Sequence, residues 1–527
     1  MSSRPNGVFI VSLTHDYYLD IARTLSAAGV PVKAVAASRR EEYRPKLLNE
    51  YLATMKPDVF FWEDMNTPER FEAVFDPDYS VLGLDAFADL AYYEKIFLLM
   101  SDRVAFHPLS QLDRCRLFYR YIAHFHNIVK RNNIDAVIFF NTPHGPWSIA
   151  LWGLAKALKL EVMYTDQVGL STDLATIETE ITIRRSYTGG AATLGRDANA
   201  YELDRIRRII HASYKKEFSW LAWLAVPGIN VHRRYLKAIA SLILKWPFSE
   251  YVSSEFFLNK GPRQRIRYAW PLFRHYLNVC RLLRFYDRHT TDEMLSRKSV
   301  VLFMHQQPEA STMPNGGVFA DQLLLLDLIL AALPKDMDIY VKEHPWMFDT
   351  LGEDRHERSV DFYRYLLRDP RVKLLKRSVP SEVLIRKAGA IVSTIGSVSW
   401  EAMLIGRPCV VFGWAWFAAC ASCFVVDSVD TLRTAIEACV ARTEEQVRAD
   451  VETFLAEIEK RTVYAASSSP SLRLSRNDYD YRAGVRNLSR ALALALGYDA
   501  DWLARNRELR PLPGAEESAA QPTRLTA

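Results

Sequence analysis

The sequence contains the run Ala390-Ile-Val-Ser-Thr-Ile-Gly-Ser-Val-Ser-Trp-Glu-Ala402, which joins a short apolar segment to a helical one through hydroxyl side chains and a glycine. A short apolar run bounded by turn signals is typical of a buried parallel strand, and the residues after it have helical spacing. The run therefore predicts a strand, a turn and a helix, the building block of an α/β sheet.

The same alternation of apolar runs and helical segments recurs on both sides of this unit. In the second half of the chain we predict strands at 299–304, 339–341, 372–375, 390–393, 409–412 and 424–426. Near the N-terminus we predict strands at 8–12, 32–36, 59–62, 136–140 and 161–164. Two such series indicate two doubly wound, mostly parallel sheets, whose ligands bind at the carboxyl ends of the strands.

The stretch between the two series is helical and rich in interleaved arginine and aromatic residues. It fits a packed helical domain with solvated arginines, which we favour, or a surface that lies on a membrane or grips a polyanionic glycan. We divide the chain into a Rossmann-like domain (1–198), this connector (199–298), a second Rossmann-like domain (299–465), C-terminal helices with a return to the first domain as one option (466–505), and a disordered tail (506–527).

Bulk composition excludes several classes of protein. The 527 residues carry a net charge of only +5, which does not indicate a nucleic-acid binder. The six cysteines follow no ladder of paired spacings, and Cys420 and Cys423 lack a second pair at zinc-like spacing, so we expect reduced thiols. No secretory signal opens the sequence, and we expect a cytoplasmic location. The uncharged run 408–426 reads better as a buried strand and loop than as a membrane span.

Motifs of other enzyme classes are missing from the sequence. There is no G-x-x-x-x-G-K-[ST], no G-x-G-x-x-G and no G-x-S-x-G, so an NTPase, a dinucleotide oxidoreductase and a serine hydrolase have no anchoring motif. Four D-x-D patterns occur, but none follows a predicted strand in a βα turn. We therefore predict that the chain requires no metal and no other cofactor.

Two strand ends in the second series offer donors for phosphate oxygens. One is the Tyr340–Pro345 run, where lysine and histidine can donate and proline stops the strand. The other is the hydroxyl-rich turn quoted above, where a helix N-terminus supplies free N–H groups. The predicted nucleotide and phosphate site comprises Lys342, His344, Pro345, Ser393, Thr394, Gly396, Ser397 and Glu401. We expect His344 and Ser397 to lie at the same edge of one sheet.

Structural roles remain open for the same residues. The first run can be an ordinary polar strand exit, Ser397 can be only a helix N-cap, and Glu401 can either bind ribose hydroxyls or complement the helix dipole. A long polar loop after the first strand of this series, rich in glycine further on, is suited to close over a ligand or to be merely solvated. The predicted donor loop comprises His305, Gln307, Glu309, Ser311 and Thr312.

Four motifs between residues 299 and 426 occur in a familiar order: Q-P-E-A-S-T, G-G-x-F-x-D-Q, Y-V-K-E-H-P and S-T-x-G-S-x-x-W-E-A-x-x-x-G-R-P. In that order they resemble the bacterial capsule polysaccharide biosynthesis proteins, which include Kdo transferases. The His-Pro and Ser-rich pair is also similar to bacterial sialyltransferases and, more distantly, to the glycerophosphotransferases of teichoic acid synthesis. The first domain matches more loosely, through Asn141–His144.

The resemblance implies a GT-B fold, in which two Rossmann-like domains face a cleft, the second holding a nucleotide-sugar and the first holding the acceptor. By carry-over, His344, Ser393, Thr394 and Ser397 contact the donor, with Lys342 nearby. In relatives of this type the donor is a CMP-sugar and acidic residues of the first domain do the chemistry. An inverting transfer needs one base near the acceptor hydroxyl, and a retaining one a nucleophile or a front-face arrangement. The catalytic candidates after first-domain strands are Glu63, Asp64, His144 and His15, each of which can also be structural.

The sequence therefore predicts a glycosyltransferase of bacterial capsule or surface polysaccharide biosynthesis that uses CMP-Kdo or a related CMP-sugar. Its partners are the nucleotide-sugar and a polysaccharide or glycolipid acceptor, with no nucleic acid. Two alternatives stay open. One is a CDP- or UDP-dependent transfer of glycerol-phosphate or another sugar, and the other is a non-catalytic export or binding protein.

Overall fold

The computed structural model describes most of the chain. The described residues are 4–39, 45–65, 68–104, 110–178, 203–215, 231–244, 262–291, 299–307, 309, 312–348, 358–466, 479–506 and 509. Ser311 of the predicted donor loop lies outside them, as do nearly all of the predicted tail and several aromatic residues of the connector.

The strands of the described residues form two sheets of seven strands each. They are β1 (Val8–Leu13), β2 (Val32–Ala37), β3 (Asp58–Phe61), β4 (Ala136–Phe139), β5 (Glu161–Gln167), β6 (Leu174–Glu178), β7 (Thr290–Thr291), β8 (Ser299–Phe303), β9 (Asp338–Lys342), β10 (Val372–Leu375), β11 (Ala390–Ser393), β12 (Cys409–Val411), β13 (Cys423–Val425) and β14 (Val463–Tyr464).

Helices cover the faces and link the strands. They are α1 (Asp16–Ala27), α2 (Leu48–Met55), α3 (Trp62–Met65), α4 (Pro68–Val74), α5 (Leu84–Val104), α6 (Gln111–Arg131), α7 (Pro146–Ala157), α8 (Leu203–Lys215), α9 (Val231–Leu244), α10 (Pro262–Arg288), α11 (Gln322–Ala332), α12 (Val360–Leu366), α13 (Ser381–Lys387), α14 (Ser397–Leu404), α15 (Val429–Ala441), α16 (Glu444–Glu459), α17 (Tyr481–Ala495) and α18 (Ala500–Arg505). Short 3-10 turns cover Tyr79–Val81, Gly317–Ala320 and Pro345–Phe348.

The strand order of each sheet fixes where a ligand can enter. The first sheet runs β14-β6-β5-β4-β1-β2-β3, and the second runs β13-β12-β11-β8-β9-β10-β7. In the first sheet the order reverses between β1 and β4, and in the second between β8 and β11. Loops on either side of a reversal run in opposite directions and leave a crevice at the carboxyl ends of the strands. The two described sheets therefore form one crevice each, between the β1 and β4 exits in the first and between the β8 and β11 exits in the second.

The predicted fold class is confirmed: the chain is α/β, with two Rossmann-like doubly wound sheets of the GT-B type. All neighbouring strands of the second sheet pair in parallel. The first sheet is parallel from β3 to β5, and β6 and β14 extend it antiparallel. The prediction missed β6, β7 and β14, and it gave no helices for α5 and α6. These three strands are too short or too polar to produce a clear apolar run in the sequence.

The uncharged run 408–426 contains β12 and β13, with a turn-rich loop between them. The three β12 residues are buried, and β12 lies between β11 and β13. The prediction of a buried strand is therefore confirmed for β12. Within the described part of the chain, no helix is both long enough and apolar enough to cross a bilayer.

The C-terminal part of the chain rejoins the first sheet. β14 pairs antiparallel with β6, where Val463 faces Ala175 and Tyr464 faces Leu174. α17 then packs against α1, and the Tyr481 hydroxyl donates to Asp20 Oδ2 over 2.7 Å. Both ends of the chain therefore build one domain, and the second sheet lies between them in the sequence.

The two sheets share buried apolar surface. Met313 and Ala320, from the loop after β8, belong to the same buried cluster as Phe9 and Phe139 of the first sheet. Gly169, after β5, lies so close to the Trp416 indole that a Cβ there would sit 2.4 Å from Nε1. The loop that follows β8 therefore borders the first domain as well as the second crevice.

The connector contributes three helices to the described residues, α8, α9 and α10. α10 is anchored to the second domain, because the buried Tyr286 hydroxyl donates to the Leu375 carbonyl over 2.7 Å. Elsewhere in α9 and α10, the exposed side chains include Leu236, Trp270 and Leu277.

Candidate functional site

His305 joins two of the strand exits at the second crevice. It lies two residues after β8, and its Nε2 accepts from the Ile395 backbone N–H of the turn after β11 over 3.2 Å. Gln322, the first residue of α11, holds the His305 backbone on both sides: its Oε1 accepts from His305 N and its Nε2 donates to His305 O. The imidazole is therefore a fixed bridge between the β8 and β11 exits.

The turn after β11 is built by its own serine and ends in an uncapped helix. Ser393 Oγ accepts from Gly396 N and contacts Ser399 Oγ, each over 2.9 Å, so this hydroxyl shapes the turn. The N-cap of α14 is Gly396, not Ser397, and it has no side chain to accept from the first turn. Within the described residues, no acceptor takes the backbone N–H groups of Ser397 and Val398. Free N–H groups and the helix dipole make this helix start an anion-binding position.

His344 reaches the same edge from β9, which is the other neighbour of β8. Glu343 beside it is buried and accepts from Arg358 Nε over 2.8 Å and from the Tyr363 hydroxyl over 2.8 Å. Glu343 Oε1 also accepts from the His344 backbone N–H over 2.9 Å, and Arg358 Nη2 donates to the His305 carbonyl over 3.1 Å. The buried Arg358–Glu343 pair thus fixes the backbone of both histidines.

Burial favours the neutral form of both histidines. It lowers the pKa of His305 to about 3, with the nearby His344 and Arg358 acting in the same direction. It lowers the pKa of His344 to about 4, an effect that Glu343 opposes and Arg358 reinforces. At neutral pH each ring therefore carries one N–H. An anion bound beside them favours the protonated form and raises these pKa values.

Lys342 does not lie where a phosphate donor was expected. Its ammonium donates to the carbonyl oxygens of Lys376 and Arg377, over 2.9 and 2.7 Å, and the residue is buried. Burial lowers its pKa to about 8, with Arg377 adding to the effect. In this conformation the ammonium ties the exit of β9 to that of β10. Pro345 begins the 3-10 turn that ends the β9 exit, as its ring favours.

The polar loop after β8 is internally bonded and tightly packed. Thr312 Oγ1 donates to Gln307 Oε1 over 3.1 Å and lies 3.2 Å from the Glu309 carbonyl, and Gln307 Nε2 donates to the Ala320 carbonyl. These side chains hold the loop in shape. Two glycines allow it to approach β11 and β12, because a Cβ on Gly316 would meet Thr394 Cγ2 at 2.9 Å and one on Gly413 would meet the Asn315 carbonyl at 2.5 Å.

Glu401 lies in the first turns of α14 and is buried, whereas Ser397 is exposed. Ser397 Oγ lies 3.4 Å from Glu401 Oε1. Burial raises the Glu401 pKa to about 7, although the bond from Ser397 opposes the shift. The carboxyl group is therefore partly protonated at neutral pH, and it can both accept and donate at this helix start.

Glu63 and Asp64 lie on the first sheet's edge, away from its crevice. They follow β3, the last strand of the sheet order, and both are buried. Ser38 Oγ and the Arg39 backbone N–H donate to the two Glu63 oxygens, and the Arg39 guanidinium pairs with Asp64 over 2.9 Å. The pair therefore closes the β2 and β3 exits on each other, two strands from the crevice.

His15 and His144, by contrast, lie on the two sides of the first crevice, after β1 and β4. His144 Nδ1 lies 2.7 Å from the Thr142 carbonyl, which can only accept, so Nδ1 carries the proton and Nε2 is the basic nitrogen. His15 Nδ1 lies 2.8 Å from Thr14 Oγ1, and burial lowers its pKa despite the charge of Asp16. Both histidines are half-buried.

The sequence prediction missed three residues that the structure brings to these edges. Arg358 was not singled out. Its signal in the sequence was Glu343, because a charged residue at the end of an apolar strand needs a buried partner of opposite charge. Asp166 and Glu178 lie at the β5–β6 end of the first sheet. Burial raises the pKa of Asp166 to about 6, and burial and the charge of Asp166 raise that of Glu178 to about 7. Asp166 ends an apolar strand and was the signal there.

Solved structures with similar chains include three sugar-nucleotide or sugar-transfer proteins. The UDP-GlcNAc 2-epimerase of Methanocaldococcus jannaschii is 10% identical, with 85% of this chain and 99% of that one covered and a TM-score of 0.23. KpsC of Thermosulfurimonas dismutans, a beta Kdo 2,4 transferase, is 12% identical, with 64% and 83% covered and a TM-score of 0.26. A UDP-glucosyltransferase of Polygonum tinctorium is 12% identical, with 94% and 100% covered and a TM-score of 0.22. These likenesses are too remote to support a conclusion about activity or individual residues.

No curated protein matches the chain. A family model does: residues 265–421 match the family described as capsule polysaccharide biosynthesis protein. This range begins in α10 and includes the exits of β8, β9 and β11, with His305, His344 and the serine turn. It covers most of the motifs on which the resemblance was predicted. Over residues 265–421 the chain is therefore similar to the capsule polysaccharide biosynthesis proteins.

Proposed function

We propose that the chain is a glycosyltransferase of bacterial capsule polysaccharide synthesis, with a nucleotide-sugar in the second crevice and the acceptor in the first. One observation carries the proposal. His305 bridges the β8 exit to the serine turn after β11, and its neighbour on the other side is the β9 exit with His344. The exits of three adjacent strands thereby border one crevice, which supports a ligand site there.

These donors suit a departing nucleotide phosphate. The free N–H groups at the start of α14 and the neutral imidazole of His344 can donate to phosphate oxygens, and the helix dipole favours their charge. Because buried side chains already orient the two histidines, these groups need little reorganisation as negative charge develops. No metal is needed for this role in the proposal, so activity should survive treatment with EDTA.

The acceptor hydroxyl needs a base in the first crevice. We assign this role to His144, since its Nε2 is the basic nitrogen and it borders the crevice between β1 and β4. His15 and Asp166 are the alternatives, and Glu63 and Asp64 are less suited because their oxygens already hold the β2 exit.

The first test is nucleotide binding by the full chain, measured by calorimetry with CMP, CDP and UDP. The His344→Ala variant should lose roughly 1.5–3 kcal/mol of binding free energy if a hydrogen bond to a charged phosphate is removed. Arg386→Gln, which changes an exposed residue of α13, is the matched control and should bind normally. A folded His344→Ala protein with unchanged affinity would contradict the site.

The second test separates an enzyme from a binding protein. Wild type is incubated with CMP-Kdo, CDP-glycerol or UDP-sugars and a capsule-type acceptor, and transfer is followed by mass spectrometry. CMP-Kdo is the donor we expect, as in the relatives that the motifs resemble. His144→Gln should retain nucleotide affinity and lose transfer by roughly 10²-fold or more. Nucleotide binding without transfer from any donor would favour the non-catalytic alternative.

We further propose that the protein works in the cytoplasm, at the surface of the membrane. The reason is that the connector has exposed apolar residues beside basic ones, a combination that suits a membrane surface. Co-sedimentation with vesicles that contain an anionic lipid tests this. We expect the wild-type protein to bind the vesicles and the Trp270→Ser variant to bind them more weakly. An unbound wild type at low salt would exclude membrane contact.

A further inference from the structure

A cavity lies on the helical side of the first domain, apart from both crevices. It has a volume of about 580 Å³ and is lined by residues of α1, α2 and α17. Asp20 and Arg23 come from α1, Glu50 from α2, and Tyr481 and Arg486 from α17. None of the candidate residues discussed above lines it, so it needs an explanation of its own.

The charges in this cavity do not balance within the protein. Arg23 lies 3.6 Å from Asp20 and 4.0 Å from Glu50, and both carboxylates thereby have a cation. Arg482 and Arg486 have no acceptor or anion among the residues that the structure describes. Arg486 Nε is buried without any hydrogen-bond partner. The Arg486 side chain as a whole is half-buried and that of Arg482 is exposed, so an anion that entered the cavity could pair with both guanidinium groups.

The remaining lining decides which anion fits. A guanidinium group binds a carboxylate or phosphate through two parallel N–H bonds. The carboxylates of Asp20 and Glu50 can accept from hydroxyl groups, and Tyr51 and Tyr481 add aromatic surface. A nucleic acid carries a phosphate at every step, which two carboxylates would repel. The combination suits a ligand with one negative charge per several hydroxyl groups.

We propose that this cavity binds a carboxylate-bearing sugar unit of an oligosaccharide, with Arg482 and Arg486 on the carboxylate and Asp20 and Glu50 on the hydroxyls. Asp20 lies four residues, about 6 Å along the helix, from the start of α1 at the β1 exit. An oligosaccharide in the cavity can therefore extend toward the first crevice. If the proposed function holds, the occupant is the acceptor glycan, but binding itself does not depend on transfer.

The experiment is calorimetry of the full chain at low salt with trigalacturonate, a trisaccharide with one carboxylate per sugar. The neutral trisaccharide maltotriose and the sugar phosphate glucose 1-phosphate are the comparison ligands. Trigalacturonate should bind, and Arg486→Gln should weaken it about tenfold or more. Arg386→Gln, on an exposed helix of the other domain, should leave its affinity unchanged. Arg486→Lys keeps the positive charge but cannot form two parallel N–H bonds, so its affinity for trigalacturonate should be intermediate.

Several outcomes would overturn the proposal. Equal affinity for maltotriose would show that the carboxylate is not recognised, and equal weakening by Arg386→Gln would show only general charge attraction. Preference for glucose 1-phosphate, or for a thymidine oligonucleotide, would assign the cavity to phosphate or nucleic acid. If Arg486→Gln does not fold, Arg482→Gln replaces it with the same expectation.

Nucleotide binding, titrated on the same samples, separates this proposal from the preceding one. Arg486→Gln should bind nucleotides like wild type, because the cavity lies apart from the second crevice. Wild type that binds trigalacturonate but no nucleotide would contradict the proposed function alone, and the reverse result would contradict the sugar-acid site alone.

Discussion

The two sheets carry their candidate residues in different ways. At the second sheet, His305 accepts from the β11 turn while Arg358 bonds both its carbonyl and Glu343, so side chains cross from strand to strand. At the first crevice, His15 and His144 each contact a residue of their own loop, Thr14 and Thr142 respectively. The second edge is preorganised by buried cross-links, and the first leaves its histidines half-exposed. For the function proposed above, the fixed second edge suits one defined leaving group, and the more open first crevice suits a larger, variable acceptor.

The largest effect expected from this comparison is on stability. Arg358→Met leaves the buried Glu343 carboxylate without its cation and should lower the free energy of unfolding by about 3–5 kcal/mol. Arg39→Met breaks the equivalent pair at the first edge, but Arg39 is half exposed, so we expect only about 1–2 kcal/mol.

Urea unfolding of both variants measures the difference. Adding Glu343→Gln to Arg358→Met should recover part of the loss, since the unpaired charge is then gone. Equal losses in the two single variants would contradict the view that buried cross-links hold the second edge more tightly than the first.

A smaller effect is expected where the loop after β8 packs against the β11 and β12 exits. Gly413→Ala would place a Cβ 2.5 Å from the Asn315 carbonyl and 2.6 Å from Ile395 Cγ2, and it should cost about 2–3 kcal/mol. It should also weaken nucleotide binding, because the serine turn moves with Ile395.

Gly83→Ala is the matched control for this variant, since a Cβ there meets nothing within 4 Å. Its unfolding free energy should be unchanged or slightly higher. Normal nucleotide affinity in a destabilised Gly413→Ala protein would separate the loop from the site.

The smallest effect concerns pH. Burial raises the pKa of Glu401 to about 7 from 4.5, so the folded protein binds a proton that the unfolded chain releases between these values. Its contribution to stability is therefore lost as pH rises from 4.5 to 7. Glu401→Gln removes this loss. The unfolding free energy of the variant, relative to that of wild type, should therefore rise by roughly 1–2 kcal/mol when the pH is raised from 5 to 8.

Urea unfolding of wild type and Glu401→Gln at the two pH values measures this gain. His305 and His344 act in the opposite direction, because their folded pKa values are lowered and stability falls as pH drops below 6.5. Glu401→Gln should therefore reveal a steeper fall toward acid pH than wild type shows. A constant difference between the two proteins would mean that Glu401 is ionised throughout.

The sequence predicts those parts of the site that consist of one strand and the residues directly after it. A buried apolar run followed by His305, by His344 or by the serine turn is a local pattern, and the parallel sheet then brings such exits to one edge. Glu343 and Arg358 are 15 positions apart in the sequence, and part of the segment between them lies outside the described residues. No periodic pattern in the sequence predicts that the two side chains pair.

The first domain shows the complementary difficulty. Glu63 and Asp64 follow a strand as clearly as His15 does, and only the strand order reveals that β3 is the last strand while β1 borders the crevice. The short strand β14 and the contact of α17 with α1 join residues more than 280 positions apart. Local spacing carries no information about such contacts.

The pairing of β14 with β6 also has a consequence for how the protein is made. The strand that precedes the second domain and the strand that follows it are neighbours, so the whole of that domain emerges from the ribosome while the first sheet still lacks its last strand. Until α17 is synthesised, the surface of α1 that it covers stays open to solvent or to chaperones. A stop codon before β14 would therefore deprive the first domain, rather than the second, of its finished core.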